Sequence, residues 1–108
     1  MTVSAPQKLP AELRQLVIAL CADYDRRERI LRRGAATPDV LSVFESLNRG
    51  IDRAVAETCE IGIRADIRRD IGARRGARRT QLYFLSEGTY KRRKRDAQHR
   101  IAEELHLL

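Results

Sequence analysis

The sequence predicts an all-α fold: a long antiparallel helical hairpin, then a short helix, a basic loop and a C-terminal helix. Apolar residues recur at spacings of three and four along most of the chain, as on one face of an α-helix. Aromatic residues make up only 5% of the sequence and Trp is absent, which disfavours a sheet. A chain of 108 residues has the size of one small domain, so we expect a single helical domain over 1–108.

The first helix of the hairpin is predicted to span about residues 10–33. Pro10 suits the first helical position, where its missing N–H needs no partner, and Gly34 supplies a stop. Residues 1–8 lack periodicity and are expected to form a frayed tail. The charged cluster at 25–29 together with Arg32 and Arg33 carries both signs, ends in arginines that complement the helix dipole, and is expected to be solvated. The apolar stripe consists of Leu9, Leu13, Leu16, Val17, Leu20, Tyr24 and Leu31.

The second helix is predicted to span about residues 38–61. Thr37 can cap it, Pro38 fits its first position, and Asp39 places a negative charge in the first turn, where the helix dipole favours it. Its apolar stripe consists of Val40, Phe44, Leu47, Ile51, Ala54, Val55, Thr58 and Cys59.

The short turn at 34–37 predicts that the two helices are antiparallel neighbours whose stripes meet along their full length. In that register Leu20 lies beside Ile51. Cys21 then lies near Gly50 and not near Cys59, which argues against a disulfide. Stripes of this length equally fit the seam of a homodimer formed through residues 9–62.

A short third helix and a basic loop are predicted next. The helix ends at Gly72, and its aspartates Asp66 and Asp70 alternate with arginines, which predicts surface ion pairs. A duplicated Gly-Ala-Arg-Arg then follows over 72–79, which suits either a phosphate-binding loop or a solvated one. The apolar face of the helix consists of Ile63, Ile67 and Ile71; the loop arginines are Arg74, Arg75, Arg78 and Arg79.

The last helix is predicted to begin at Ser86, whose hydroxyl can cap it, with Glu87 in the first turn. Before it, the apolar run at 82–85 is expected to fill the C-terminal core, with stacking of Tyr83 on a base as the alternative. Helical spacing places one apolar set on the core side and a basic set on the other. The apolar set is Tyr90, Ala97, Ile101, Leu105 and Leu108, and the basic set is Lys91, Arg92 and Arg95.

The positive charge is concentrated in the C-terminal part of the sequence. Residues 1–62 are electrically neutral, whereas residues 63–108 contain thirteen Lys and Arg against six Asp and Glu, which accounts for the whole net charge of +7. Such an asymmetry is expected of a surface that meets phosphates or another anionic partner. The expected organisation is therefore a hairpin half over 9–62, which also offers the homodimer seam, and a basic nucleic-acid-binding half over 63–108.

The sequence shows no signature of an enzyme. It has no pairing of a nucleophile with a base, no phosphate loop and no zinc spacing of Cys and His, so we expect a non-enzyme without cofactor or metal. No signal peptide or long apolar run is recognisable, so a cytoplasmic protein without a membrane partner is expected.

The start of the last helix resembles known DNA-binding proteins. Ser86-Glu87-Gly88-Thr89, with Tyr90 and a basic run after it, resembles the recognition helix of sigma-factor region-four-type helix-turn-helix domains. The C-terminal third, with Arg92-Arg93-Lys94-Arg95 and Ile101-Ala102-Glu103-Glu104-Leu105, resembles phage late-transcription activators of the RinA/ArpU type. The stretch 78–82 departs from the pattern by carrying arginines where the preceding helix of the motif is apolar. The resemblance implies contact with bases or phosphates by Ser86, Glu87, Thr89, Lys91, Arg92, Arg93 and Arg95.

The sequence therefore predicts a small DNA-binding transcriptional regulator of phage or mobile DNA with a helix-turn-helix-like C-terminal part. Double-stranded DNA is the expected partner, and contact with RNA polymerase stays open. The main alternative is an adaptor whose basic half docks an acidic protein. RNA binding and a membrane-surface helix are weaker alternatives, since exposed aromatic residues are few.

Overall fold

The structure is a computed structural model that describes residues 9–73 and 85–108. These residues confirm the all-α fold. The helices are α1 (Ala11–Ala22), α2 (Tyr24–Arg33), α3 (Pro38–Thr58), α4 (Arg64–Ala73) and α5 (Glu87–Glu104), with one 3-10 turn at Ile61–Ile63. No helix in the described ranges is long and apolar enough to cross a membrane.

The predicted hairpin is only half correct. The expected first helix is interrupted at Asp23, and only its second part, α2, packs antiparallel to α3. The first part, α1, lies against α4 and α5 and has almost no contact with α3. The prediction that two stripes meet along their full length is therefore wrong. The core that results joins residues from all five helices, including Val17, Ile51 and Ile101.

Arg27 explains the interruption. One of its terminal nitrogens donates to the carbonyl of Leu20 at 2.6 Å, an acceptor that an uninterrupted helix would use for the Tyr24 N–H. Its Nε donates to Asn48 Oδ1 on α3 at 2.7 Å, and its other terminal nitrogen lies 3.3 Å from Asp23. Only 2% of Arg27 is exposed, so the expectation that the charged run at 25–29 is solvated is wrong for this residue. The buried charge holds the end of α1, the start of α2 and the middle of α3 together.

The helix boundaries follow from specific capping interactions. The Thr37 hydroxyl accepts from Val40 N–H at 3.4 Å, and Pro38 begins α3, as predicted. Gly34 ends α2 with a φ of 61°, in the left-handed region that glycine favours. Cys59 is already extended, so α3 ends at Thr58, before the predicted limit.

The end of α5 corrects the sequence prediction for Leu108. His106 adopts a φ of 58°, and the N–H of Leu107 donates to Ala102 O at 2.8 Å, which terminates the helix. Leu107 therefore packs on the core, whereas Leu108 remains 60% exposed. The prediction placed Leu108 on the apolar stripe because it assumed that the helix continued to the last residue.

The predicted isoleucine face is confirmed, since Ile67 and Ile71 of α4 and Ile63 of the preceding 3-10 turn are fully buried. Gly72, predicted to end the helix, lies inside it and allows the backbone of α1 to approach. A Cβ built on Gly72 would lie 2.7 Å from the backbone nitrogen of Ala22. This close approach places Cys21 beside α4, and not beside Gly50 as the hairpin register predicted.

Replacing Gly72 by Ala should destabilise the protein, because two helix backbones would have to separate. We expect a loss of about 1–3 kcal/mol in the free energy of unfolding, measured by urea denaturation. Gly88→Ala is the matched control, since a Cβ at Gly88 meets no atom within 4 Å. Its effect should stay within about 0.5 kcal/mol. Equal effects of the two substitutions would contradict the close packing of α1 on α4.

Replacing Arg27 by Ala should remove the guanidinium that donates to both Asn48 and the Leu20 carbonyl. We expect the free energy of unfolding to fall by about 2–4 kcal/mol, because buried acceptors lose their partner. Arg26→Ala is the control: Arg26 also binds Asp23, at 2.6 Å, but its side chain is 52% exposed, so water can replace it. A small and equal cost for both variants in urea melts would show that the buried network does not stabilise the break.

Candidate nucleic-acid interface

The start of α5 is fixed by the cap that the sequence predicted. The hydroxyl of Ser86 accepts from Thr89 N–H at 3.1 Å, and the same hydroxyl lies 2.9 Å from the side-chain oxygen of Thr89. Arg92 donates to that threonine oxygen at 3.2 Å. The two hydroxyls thus order the first turns of the helix and bring Arg92 into a defined position.

A buried hydrogen bond anchors the opposite side of these turns. Tyr90 is 1% exposed, and its hydroxyl donates to Asp70 Oδ2 on α4 at 2.6 Å. Asp70 is itself only 7% exposed, so the prediction that Asp70 forms a surface ion pair is wrong; Asp66, which lies 4.0 Å from Arg69, does form one. Asp70 instead joins α4 to the basic helix.

Three ion pairs hold α5 against α3 and the segment directly after it, and the order of the partners shows that α5 and α3 are antiparallel. Arg93 donates to both oxygens of Glu60, at 2.9 and 3.1 Å, and Arg100 donates to both oxygens of Glu57, at 3.1 and 3.3 Å. Near the other end, Arg53 of α3 donates to Glu104 at 2.8 Å. The guanidinium of Arg93 holds the pKa of Glu60 below its ordinary value, which keeps this carboxylate charged.

The outer side of the first turns exposes the cations that the sequence assigned to DNA. Lys91, Arg92 and Arg95 are all exposed. Every Asp and Glu of the chain lies within the described residues, and none of these carboxylates lies within 4.0 Å of Arg92 or Arg95. Lys91 has only Glu87 nearby, at 3.9 Å, and both side chains are more than 60% exposed. We call Lys91, Arg92 and Arg95 the α5 cationic face.

The other predicted site residues divide into three groups. Ser86 and Thr89 order the helix start, and Glu87 is exposed beside Lys91. Arg93 lies off the α5 cationic face, because its guanidinium is engaged by Glu60. Lys94, also from the basic run, is partly buried, and this burial lowers its pKa although Asp70 opposes the shift. The loop residues Arg74, Arg75, Arg78 and Arg79, together with Tyr83, lie outside the described residues.

Two supporting residues escaped the sequence analysis. Asp70 looked like one of several surface aspartates. Glu60 lies just after α3, and the basic residue nearest to it in sequence, Arg64, donates instead to the carbonyls of Cys59 and Ala56. Within the two described ranges, no group of three or more His, Cys, Asp or Glu side chains is arranged to hold a metal ion. Cys21 and Cys59 are both buried and free, and burial raises the pKa of the Cys21 thiol to about 12.

Comparisons of the chain with protein-family models, with curated proteins and with solved structures find no match.

Replacing Tyr90 by Phe should destabilise the support of α5. The buried Asp70 carboxylate would lose its donor, so we expect the free energy of unfolding to fall by about 1–3 kcal/mol. Tyr24→Phe is the control, because the hydroxyl of Tyr24 also donates to a carboxylate, Asp52, at 2.8 Å, but Asp52 is exposed and water can replace the donor. Thermal melts in which the Tyr24 variant loses as much stability as the Tyr90 variant would contradict a special role for the buried pair.

Proposed function

We propose that this protein is a small DNA-binding transcriptional regulator that presents the first turns of α5 to a groove of duplex DNA. The observation that carries the proposal is the α5 cationic face. Arg92 and Arg95 have no carboxylate partner, although other arginines of the same helix do. Cations left without partners on a fixed helix can bind an external anion without first breaking an internal ion pair.

The rigidity of the helix favours readout of bases as well as phosphates. Arg92 is positioned by Thr89, while Tyr90 and Arg93 fix the sides of the helix that face α4 and α3. An arginine held in register can donate two hydrogen bonds to the edge of a guanine in the major groove. The loop at 74–79, with four further arginines, would add contacts to phosphates.

The regulatory part of the proposal comes from the resemblance of the C-terminal third to phage late-transcription activators of the RinA/ArpU type. It assigns the protein to the cytoplasm of a cell that carries phage or mobile DNA. An acidic protein is the competing partner of the α5 cationic face. The chemistry of this surface favours DNA over an acidic protein, because protein interfaces have an apolar core and the exposed residues Lys91, Arg92 and Arg95 are all cations.

Binding to duplex DNA should depend steeply on salt. If about six phosphates are neutralised, the affinity should fall by roughly a thousandfold between 50 and 200 mM salt. On a selected duplex, Arg92→Ala should cost about 1–3 kcal/mol of binding free energy, and less on a random duplex, because a contact to a base edge is lost. Fluorescence anisotropy with both duplexes measures these quantities for each variant.

The control for this experiment is Arg69→Ala, which removes one exposed arginine from α4 and leaves α5 unchanged. It should weaken binding to both duplexes equally and slightly. If Arg92→Ala and Arg69→Ala have the same effect, no base is read by α5. If the wild type does not bind duplex DNA at 50 mM salt but binds an acidic peptide, the adaptor function replaces the one proposed.

A further inference from the structure

A second cluster of unpaired cations lies on α2, in the half of the sequence that is formally neutral. Arg29, Arg32 and Arg33 are exposed, and among the described residues, which include every Asp and Glu, no carboxylate oxygen lies within 4.0 Å of them. Arg32 borders a cleft that also contains Glu28 and Glu45, but it forms no ion pair with either. We call Arg29, Arg32 and Arg33 the α2 cationic face.

Ion pairs between the two halves of the sequence create this excess. Asp25, Glu57 and Glu60 belong to the neutral half, yet they pair with Arg68, Arg100 and Arg93 of the basic half. Among the residues that the structure describes, only Arg53 makes the reverse pair, with Glu104. Three acidic residues of the first half are therefore engaged by arginines of the second half, and Arg29, Arg32 and Arg33 have no ion pair.

The helices that carry the two cationic faces contact different sides of α3. Asn48 of α3 bonds to α2, and Glu57 of α3 bonds to α5. These positions are nine residues apart, which is two and a half helical turns, so their side chains point in opposite directions. Both neighbouring helices run antiparallel to α3. Consequently Arg33 lies near the start of α3, whereas the first turns of α5 lie near its end, beside Glu60.

We propose that the α2 cationic face binds the phosphate backbone of a second DNA duplex, so that one protein molecule bridges two duplexes. This inference rests on the proposed function of α5. Because α2 and α5 contact different sides of α3, we expect a single straight duplex against α5 not to reach the α2 cationic face. All exposed residues of α2 are charged, namely Asp25, Arg26, Arg29, Arg32 and Arg33. A surface without an apolar anchor suits a polyanion better than a protein partner.

A two-duplex capture assay with the full chain tests the proposal. Beads carry one biotinylated duplex, a second duplex of the same sequence carries a fluorophore, and the protein is added at low salt. The wild type should retain the fluorescent duplex on the beads. The triple variant Arg29→Gln, Arg32→Gln, Arg33→Gln should retain at least about fivefold less, while its affinity for one duplex, measured by anisotropy, changes by less than about threefold, because the α5 cationic face is intact.

The matched control is Arg14→Gln, Arg53→Gln, Arg69→Gln, which removes three exposed arginines from other surfaces. It should capture the second duplex as the wild type does, and thermal melts verify that both variants fold. Wild-type protein that binds the bead duplex but captures no second duplex overturns the bridging inference and leaves the function of α5 standing. Failure to bind any duplex overturns both.

Bridging by a protein dimer has a different signature. Undiminished capture by the α2 variant would show that two α5 faces of a dimer hold the two duplexes, which overturns the inference. Light scattering of the free protein tests whether the protein dimerises through α2. A wild-type dimer that dissociates in the α2 variant would make α2 a protein interface, and this result also overturns the inference.

Discussion

The buried guanidinium of Arg27 is the constraint on which the arrangement of the helices depends. A charge that is 2% exposed must be satisfied within the protein, because its desolvation is otherwise too costly. Its acceptors are Leu20, Asn48 and Asp23, and the first of these is a helix carbonyl. Since that carbonyl accepts from Arg27 and not from a backbone N–H, the helix is interrupted at Asp23. As a result α1 does not pack along α3.

Because α1 does not pack along α3, it can pack on α4 and complete the core. The absence of a side chain at Gly72 allows the backbones of α1 and α4 to approach closely. The isoleucine face of α4 is thereby buried, and Asp70 on the same helix becomes buried as well. Asp70 then accepts from Tyr90 and fixes the start of the basic helix. A chain of contacts thus leads from a buried arginine in α2 to the position of the α5 cationic face.

Local signals in the sequence predicted the fold class and most helix boundaries. The caps at Thr37 and Ser86, and the glycine stop at Gly34, act within a few residues, so their pattern can be read directly. Arg27 could not be recognised in this way. Its partner Asn48 lies twenty-one residues away, and nothing in the local charge pattern distinguishes Arg27 from Arg26 or Arg29. The break at Asp23 therefore followed from a tertiary interaction that overrides a continuous helical pattern.

The candidate site shows the same division between local and distant information. The exposure of Lys91, Arg92 and Arg95 followed from helical spacing opposite Tyr90. Arg93, by contrast, forms an ion pair with Glu60, which lies thirty-three residues earlier in the chain. Helical spacing could assign a side to each cation, but it could not show which cations were already paired.

The positions of the acidic residues decide which arginines are paired within the protein. The sequence has fifteen Asp and Glu against twenty-two Lys and Arg, and some of these carboxylates, such as Asp23, pair with two arginines. Where a carboxylate from one helix meets an arginine from another, as between Glu57 and Arg100, the pair fixes the packing of two helices. Where no carboxylate is in reach, as at Arg95, the cation has no internal ion pair. Ion pairing between helices therefore decides which cations of this protein keep an uncompensated charge, and the position of a basic residue in the sequence does not show this by itself.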